Sequence, residues 1–164
     1  MSTILIRPVR REDCPEVERL IRELARYERL EHECHASVEN LERELFCERP
    51  VIRAVLAWEV DEAGKESAIG FALYFFNFST FLTKRGLYLE DLFVREAWRG
   101  RGVGRSLLKH LAAEAVREGC GRFDWVVLDW NRPAIDFYRR MGANILEDWR
   151  ICRVEGEALK RLAE

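Results

Sequence analysis

Six residues in the middle of the chain, Arg99-Gly100-Arg101-Gly102-Val103-Gly104, set three glycines and two arginines where a strand pattern gives way to a helical one. Glycine lets the backbone turn tightly, so that successive N–H groups aim at one spot beside a helix N-terminus. Such a nest suits a pyrophosphate. Arg95, Arg105 and Lys109 add positive charge nearby, against the single acid Glu96. The turn is not a P-loop, which needs four residues between its glycines and then Gly-Lys-Ser/Thr. Nor does it have the dinucleotide spacing G-x-G-x-x-G, because Gly100, Gly102 and Gly104 are separated by twos.

Two other side chains stand where they could handle protons. Glu90 interrupts the apolar run Gly86 to Arg95, and burial there would raise its proton affinity. The alternative is an exposed or ion-paired strand carboxylate. Tyr138 falls on a helical pattern after Asn131 to Pro133, and taken alone it reads as a core tyrosine of an amphipathic helix. No serine or cysteine carries the local signature of an activated nucleophile. Cys14, Cys34, Cys47, Cys120 and Cys152 are odd in number and contain no CxxC pair. His32, Cys34 and His35 are neighbours, but no fourth ligand follows at a zinc spacing. The expectation is reduced thiols and no metal.

The elements that must position these groups follow from periodicity. Ile4 to Pro8 reads as a first strand. Asp13 offers an N-cap, with Pro15 in the first turn, and Val17, Leu20, Ile21, Leu24 and Ala25 recur at helical spacing as far as about Leu30. Ser37 opens a shorter helix through Leu41, Leu45 and Phe46. Val51 to Val60, Ile69 to Phe78 and Gly86 to Arg95 then read as three strands with short turns, an antiparallel meander. Val103, Leu107, Leu108, Leu111, Ala112, Ala115 and Val116 make one helical face ending at Gly119. A strand at Phe123 to Leu128, a helix from Pro133 to near Gly142, a final strand over Trp149 to Val154 and a helix at Glu157 to Leu162 complete the pattern. Strands followed by a strand-helix-strand-helix unit predict a mixed α/β sheet.

The chain has 164 residues, 48% apolar and 34% charged, enough to bury one core and too much order-forming composition for a disordered chain. Its 27 basic and 29 acidic residues give a net charge of -2, which argues against nucleic-acid binding. No apolar run is long enough to span a membrane. The opening residues lack the apolar stretch of a signal peptide, so a cytoplasmic location is expected. Seven acids lie between Glu28 and Arg49; they are either a rim that attracts a cation or a solvated helical surface.

The residues from Arg99 to Gly104 match the signature Arg/Gln-x-x-Gly-x-Gly/Ala of the GNAT acyltransferase superfamily. Tyr88-Leu89-Glu90-Asp91, Leu128-Asp129-Trp130-Asn131 and Phe137-Tyr138-Arg139-Arg140-Met141-Gly142-Ala143 resemble its diamine acetyltransferase group, as do Ile6-Arg7-Pro8 with Asp13-Cys14 and Glu23-Leu24-Ala25 before Tyr27-Glu28. The resemblance covers nearly the whole chain. It implies one GNAT-type domain over residues 1–164, a largely antiparallel central sheet flanked by helices, and a homodimer.

The same resemblance implies an acetyl-CoA-dependent transfer to a primary amine. Leu92, Phe93 and Val94 would bond the pantetheine arm through the main chain. Arg99, Gly100, Arg101, Gly102, Val103, Gly104 and Arg105 would hold the pyrophosphate. Asn131, Ala134 and Tyr138 would lie at the thiol end. Tyr138 matches the family's general acid and Glu90 its water-mediated general base; Tyr27, Glu28, Glu90 and Glu147 match substrate-contacting positions. An alkylammonium with a pKa near 10.4 must lose a proton before it attacks a thioester, and the leaving thiolate then needs one.

One position departs from the spermidine/spermine branch, which carries Asp, Pro and Trp where this chain has Ser79, Thr80 and Phe81. Ser79-Thr80 and Val127 to Asn131 are more similar to the thialysine branch. The expected substrate is therefore a small cation: thialysine, a lysine-like amine or a diamine. Other readings are a protein or peptide N-acetyltransferase and a non-catalytic acyl-CoA-binding module.

Overall fold

The structure, a computed structural model, describes residues 3–164. Contacts divide the chain into two units, Met1–Val126 and Val127–Glu164. In the first, β1 (Thr3–Pro8), β2 (Arg53–Val60), β3 (Glu66–Ser79), β4 (Lys84–Val94) and β5 (Arg122–Trp125) form one sheet in the order β1-β2-β3-β4-β5. The first four strands pair antiparallel, as a meander with short turns must, and β5 joins β4 in parallel. The sheet is thus mixed and mostly antiparallel, of α/β class.

Three helices cover the sheet: α1 (Cys14–Glu28), α2 (Val38–Phe46) and α3 (Val103–Arg117). The middle of β2 is buried at every residue from Ala54 to Trp58, so both faces of the sheet are packed. Ala54, Leu56 and Trp58 point to one face, where Val17, Leu20 and Leu24 of α1 and Leu41 and Leu45 of α2 complete a core cluster with Phe71, Leu73 and Phe93. The spacing of those α1 residues is the helical stripe the sequence predicts. Ser37 caps α2 by accepting a hydrogen bond from the Asn40 N–H at 3.2 Å. Asp13 precedes α1, but its carboxylate takes Arg7 at 2.6 Å and the Arg10 N–H at 2.8 Å instead of capping the helix.

In the second unit α4 (Arg132–Arg140) and α5 (Gly156–Leu162) are the regular elements among the described residues. The strand expected over Trp149 to Val154 is absent; that segment is irregular, with Trp149 77% and Ile151 69% exposed. β-branched and aromatic residues favour a strand only when a neighbour completes the ladder, and among the described residues this segment pairs with none. The strand expected over Phe123 to Leu128 is shorter for the same reason, since pairing with β4 ends at Leu89↔Trp125. On α3 the stripe holds at Val103, Leu107, Leu108, Leu111 and Ala115, but Ala112 and Val116 are exposed.

Candidate active site

Two elements bring acids together. α1 stops at Glu28 because Arg29 turns into the left-handed region at φ 62° and the Leu30 N–H reaches back to the Ala25 carbonyl at 2.8 Å. Tyr27 and Glu28 therefore occupy its last turn. On β4, Leu89 pairs with Tyr74 while Asp91 pairs with Leu73, so Glu90 is an extra residue in the ladder, a β-bulge. Glu90 is exposed and Asp91 beside it is half-buried. Burial, then the charges of Glu90 and Glu28, push the Asp91 carboxyl up to about 6. Burial also raises Glu28 above the ordinary carboxylate range. The sequence reading placed the effect of burial on Glu90; the structure places it on Asp91. Two consecutive acids in a strand carried the signal, because strict alternation must turn one of them inward.

Beyond the bulge β4 runs on through Leu92, Phe93 and Val94 with no strand beside it on the β5 side, since β5 pairs only as far as Leu89. The main chain there has one edge that no strand pairs with, on which Arg99 takes the Val94 carbonyl. It leads into the glycine turn. Gly100 and Gly102 adopt φ of 73° and 83°, and no atom lies within 4 Å of where a Cβ would sit at either. Gly102 precedes α3 and has no side chain to cap it, and no acid stands in the first turn of that helix. The N–H groups of the turn and of Val103 and Gly104 thus keep their capacity for an anion.

The arginines that the sequence gathers around this turn divide into two groups. Arg95 is committed elsewhere: it makes a two-pronged pair with Glu23 of α1 at 2.8 and 2.7 Å and donates to the Ala68 carbonyl at 2.6 Å. Arg99 donates through Nε to the Val94 carbonyl at 2.9 Å and stacks over the Tyr27 ring at 4.4 Å. Arg101, Arg105 and Lys109 are exposed and, among the described residues, have no ion-pair partner. A free strand edge, a glycine turn on an uncapped helix and three uncommitted cations are what pantetheine amides and the phosphates of acetyl-CoA require, so these residues fit that group.

The remaining expected site residues belong to other elements. Asn131 and Ala134 form the N-cap of α4, where the Asn131 carboxamide oxygen accepts from the Ala134 N–H at 3.4 Å, and Tyr138 is a buried residue of the same helix. Glu147 is exposed in the irregular segment that follows. Ser79 ends β3, 5% exposed, its hydroxyl accepting from the Leu82 N–H at 3.3 Å. It stands five positions along β3 from Tyr74, roughly 17 Å from the bulge at about 3.4 Å per residue. Among the described residues no group of three or more His, Cys, Asp or Glu is arranged to hold a metal ion.

Comparison with known proteins agrees with this geometry. The family model for the acetyltransferase (GNAT) family matches residues 17–143. A thialysine N-epsilon-acetyltransferase of Sus scrofa is 39% identical over 99% of both chains. An L-ornithine N5-acetyltransferase of Arabidopsis thaliana is 40% identical over 80% of this chain and 52% of its own length. Among solved structures, an integron cassette protein from the mobile metagenome of V. cholerae superimposes with a TM-score of 0.78 at 31% identity, covering 98% of each chain. With a family model that spans most of the chain and relatives that match end to end, this protein belongs to the GNAT acetyltransferase family and is an N-acetyltransferase.

Proposed function

We propose that the protein transfers acetyl from acetyl-CoA directly to the terminal primary amine of a small cation, of the thialysine, lysine-like or short-diamine type. The observation that carries this reading is the continuity of β4. One strand presents the acids Glu90 and Asp91, then an unpaired edge at Leu92 to Val94, then the phosphate turn. Acetyl-CoA supplies the activated acetyl group; the chain's own residues supply attraction, orientation and proton handling.

Glu28, Glu90 and Asp91 give the acceptor end negative charge that draws in an ammonium ion. That attraction alone would keep the amine protonated, so a group must take its proton. Glu90 is proposed as base through a water molecule, and Asp91, whose carboxyl titrates near neutrality, as the neighbour that shares the proton. Leu92, Phe93 and Val94 hold the pantetheine arm by main-chain bonds, while the turn from Gly100 to Gly104 with Arg101 and Arg105 holds the pyrophosphate. Tyr138 is proposed to donate a proton to the departing thiolate.

The substrate class rests on the relatives named for thialysine and L-ornithine and on the uncharged Ser79. A homodimer is also proposed; the exposed Leu146, Trp149, Ile151 and Val154 give it an apolar contact surface. The test is thiol release from acetyl-CoA with thialysine, lysine, ornithine, putrescine, spermidine and a basic peptide. Turnover highest with the short amines supports the reading. Turnover only with the peptide, or acetyl-CoA binding without turnover, overturns it.

A further inference from the structure

Arg99 lies at the meeting of three parts of the first unit. Its Nε bonds the Val94 carbonyl at 2.9 Å, on the last residue of β4. Its guanidinium carbon stands 4.4 Å from the centre of the Tyr27 ring on α1 and 5.7 Å from that of Phe93 on β4. Its own backbone is the first residue of the phosphate turn. A planar, delocalised cation suits such a place, because it can stack on a ring while a fixed N–H meets a carbonyl in the same plane. Phe93 belongs to the buried core and Tyr27 packs against it, so the stack rests on a rigid floor.

Tyr27 is followed directly by Glu28, which the left-handed turn at Arg29 leaves at the end of α1. Burial raises the Asp91 carboxyl, and the charges of Glu90 and then Glu28 raise it further. Direct contacts therefore run from the phosphate turn through Arg99 to Tyr27, whose neighbour in sequence is Glu28 at the amine end.

We propose that Arg99 is a positioning residue that couples the two ends of the site, so that occupation of the phosphate turn sets the placement of the last turn of α1 and with it the affinity for the amine. A phosphate group beside the turn restricts Arg99 to the arrangement in which it also holds Tyr27. The coupling is reciprocal, because whatever orders Arg99 from one side favours binding on the other. This inference rests on the acetyltransferase reading for its ligands, CoA and an amine.

The test uses Arg99→Gln and Arg99→Lys in the full chain, with CoA and thialysine as probes. Lysine keeps the positive charge but neither stacks as a plane nor reaches the Val94 carbonyl in the same geometry. Hydrogen exchange comes first. CoA should slow exchange at the amides of residues 24–30 in the wild type, and this protection should be lost in both variants at saturating CoA. Kinetics follow: at saturating acetyl-CoA both variants should raise KM for thialysine about tenfold or more, with kcat changed less. In the Tyr27→Leu background, replacing Arg99 should change that KM by less than about twofold.

Normal amine KM and intact protection in Arg99→Lys, with only CoA affinity reduced in Arg99→Gln, would make Arg99 a simple phosphate ligand and overturn the coupling. If Arg99→Gln does not fold, Arg99→Lys alone decides. Absence of turnover with every amine defeats the acetyltransferase reading separately, since the exchange experiment with CoA still reports whether the last turn of α1 responds.

Discussion

Glu28, in the last turn of α1, and Asp91, just past the bulge in β4, are both carboxyls that burial raises, and the charge of Glu28, after that of Glu90, adds to the rise at Asp91. The two are distant in sequence, and among the described residues neither has an ion-pair partner. A protein tolerates such a pair where a positive ligand is to arrive.

Asp91 gives the first expectation. Its carboxyl titrates at about 6 in the fold against an ordinary 3.8. The bound proton therefore favours the folded state at low pH, and that contribution is lost as pH rises through 6. Asp91→Asn cannot lose it. The stability of the variant relative to wild type should rise by about 2 kcal/mol between pH 4 and pH 8. Urea unfolding at the two pH values measures this, and a constant difference would show that Asp91 is not perturbed.

Tyr138→Phe removes one buried hydroxyl. Turnover should fall on the order of 10²-fold, the scale of general acid catalysis, with the fold intact by circular dichroism. Turnover within twofold of wild type, measured where chemistry limits the rate, would leave Tyr138 a packing residue.

At Gly102 two substitutions separate strain from charge. A Cβ there meets no atom within 4 Å, so Gly102→Ala has only the left-handed backbone at φ 83° to contend with, a loss of roughly 1–2 kcal/mol in stability. Gly102→Asp adds a negative group beside the proposed phosphate site. Calorimetry should find acetyl-CoA affinity lowered at least tenfold in the aspartate variant and much less in the alanine one. Equal affinities in the two would move the phosphates elsewhere.

Substrate choice tests Ser79. Short amines should exceed spermidine in kcat/KM, because one absent carboxylate contact costs about 1–3 kcal/mol, roughly 5- to 150-fold. Ser79→Asp keeps an acceptor for the Leu82 N–H, places a charge roughly 17 Å along β3 from the bulge, and should narrow the gap. Spermidine preferred by the wild type would contradict the short-amine reading.

Local signals in the sequence were enough for the glycine turn before α3, the stripe on α1, the Ser37 cap and the meander, because each depends on residues within a few positions of one another. The commitments of Arg95 and Arg99 were hidden. Glu23 is 72 positions from Arg95, and no local pattern says which of several neighbouring arginines a distant acid will take. Trp149 to Val154 has the composition of a strand, but a strand also needs a neighbour, and composition cannot supply one. The bulge was the hardest to see. Glu90-Asp91 announces a conflict of alternation without saying that the chain resolves it by adding a residue to the ladder.

That added residue has a consequence for how the gene can change. Before Glu90 the buried odd-numbered residues Leu87 and Leu89 lie outside the cluster under α1 and α2; after it, odd-numbered Phe93 lies within that cluster. The bulge reverses parity along β4. Deleting the codon for position 90 would restore a regular ladder with Phe93 and Val94 still on their present faces, whereas deleting one nearer the start of β4 would turn the residues between that point and the bulge to the opposite face. Position 90 is therefore the place where β4 can lose a residue with both faces of the strand intact, and for folding a deletion at Leu87 or Leu89 should be far more damaging than the removal of Glu90.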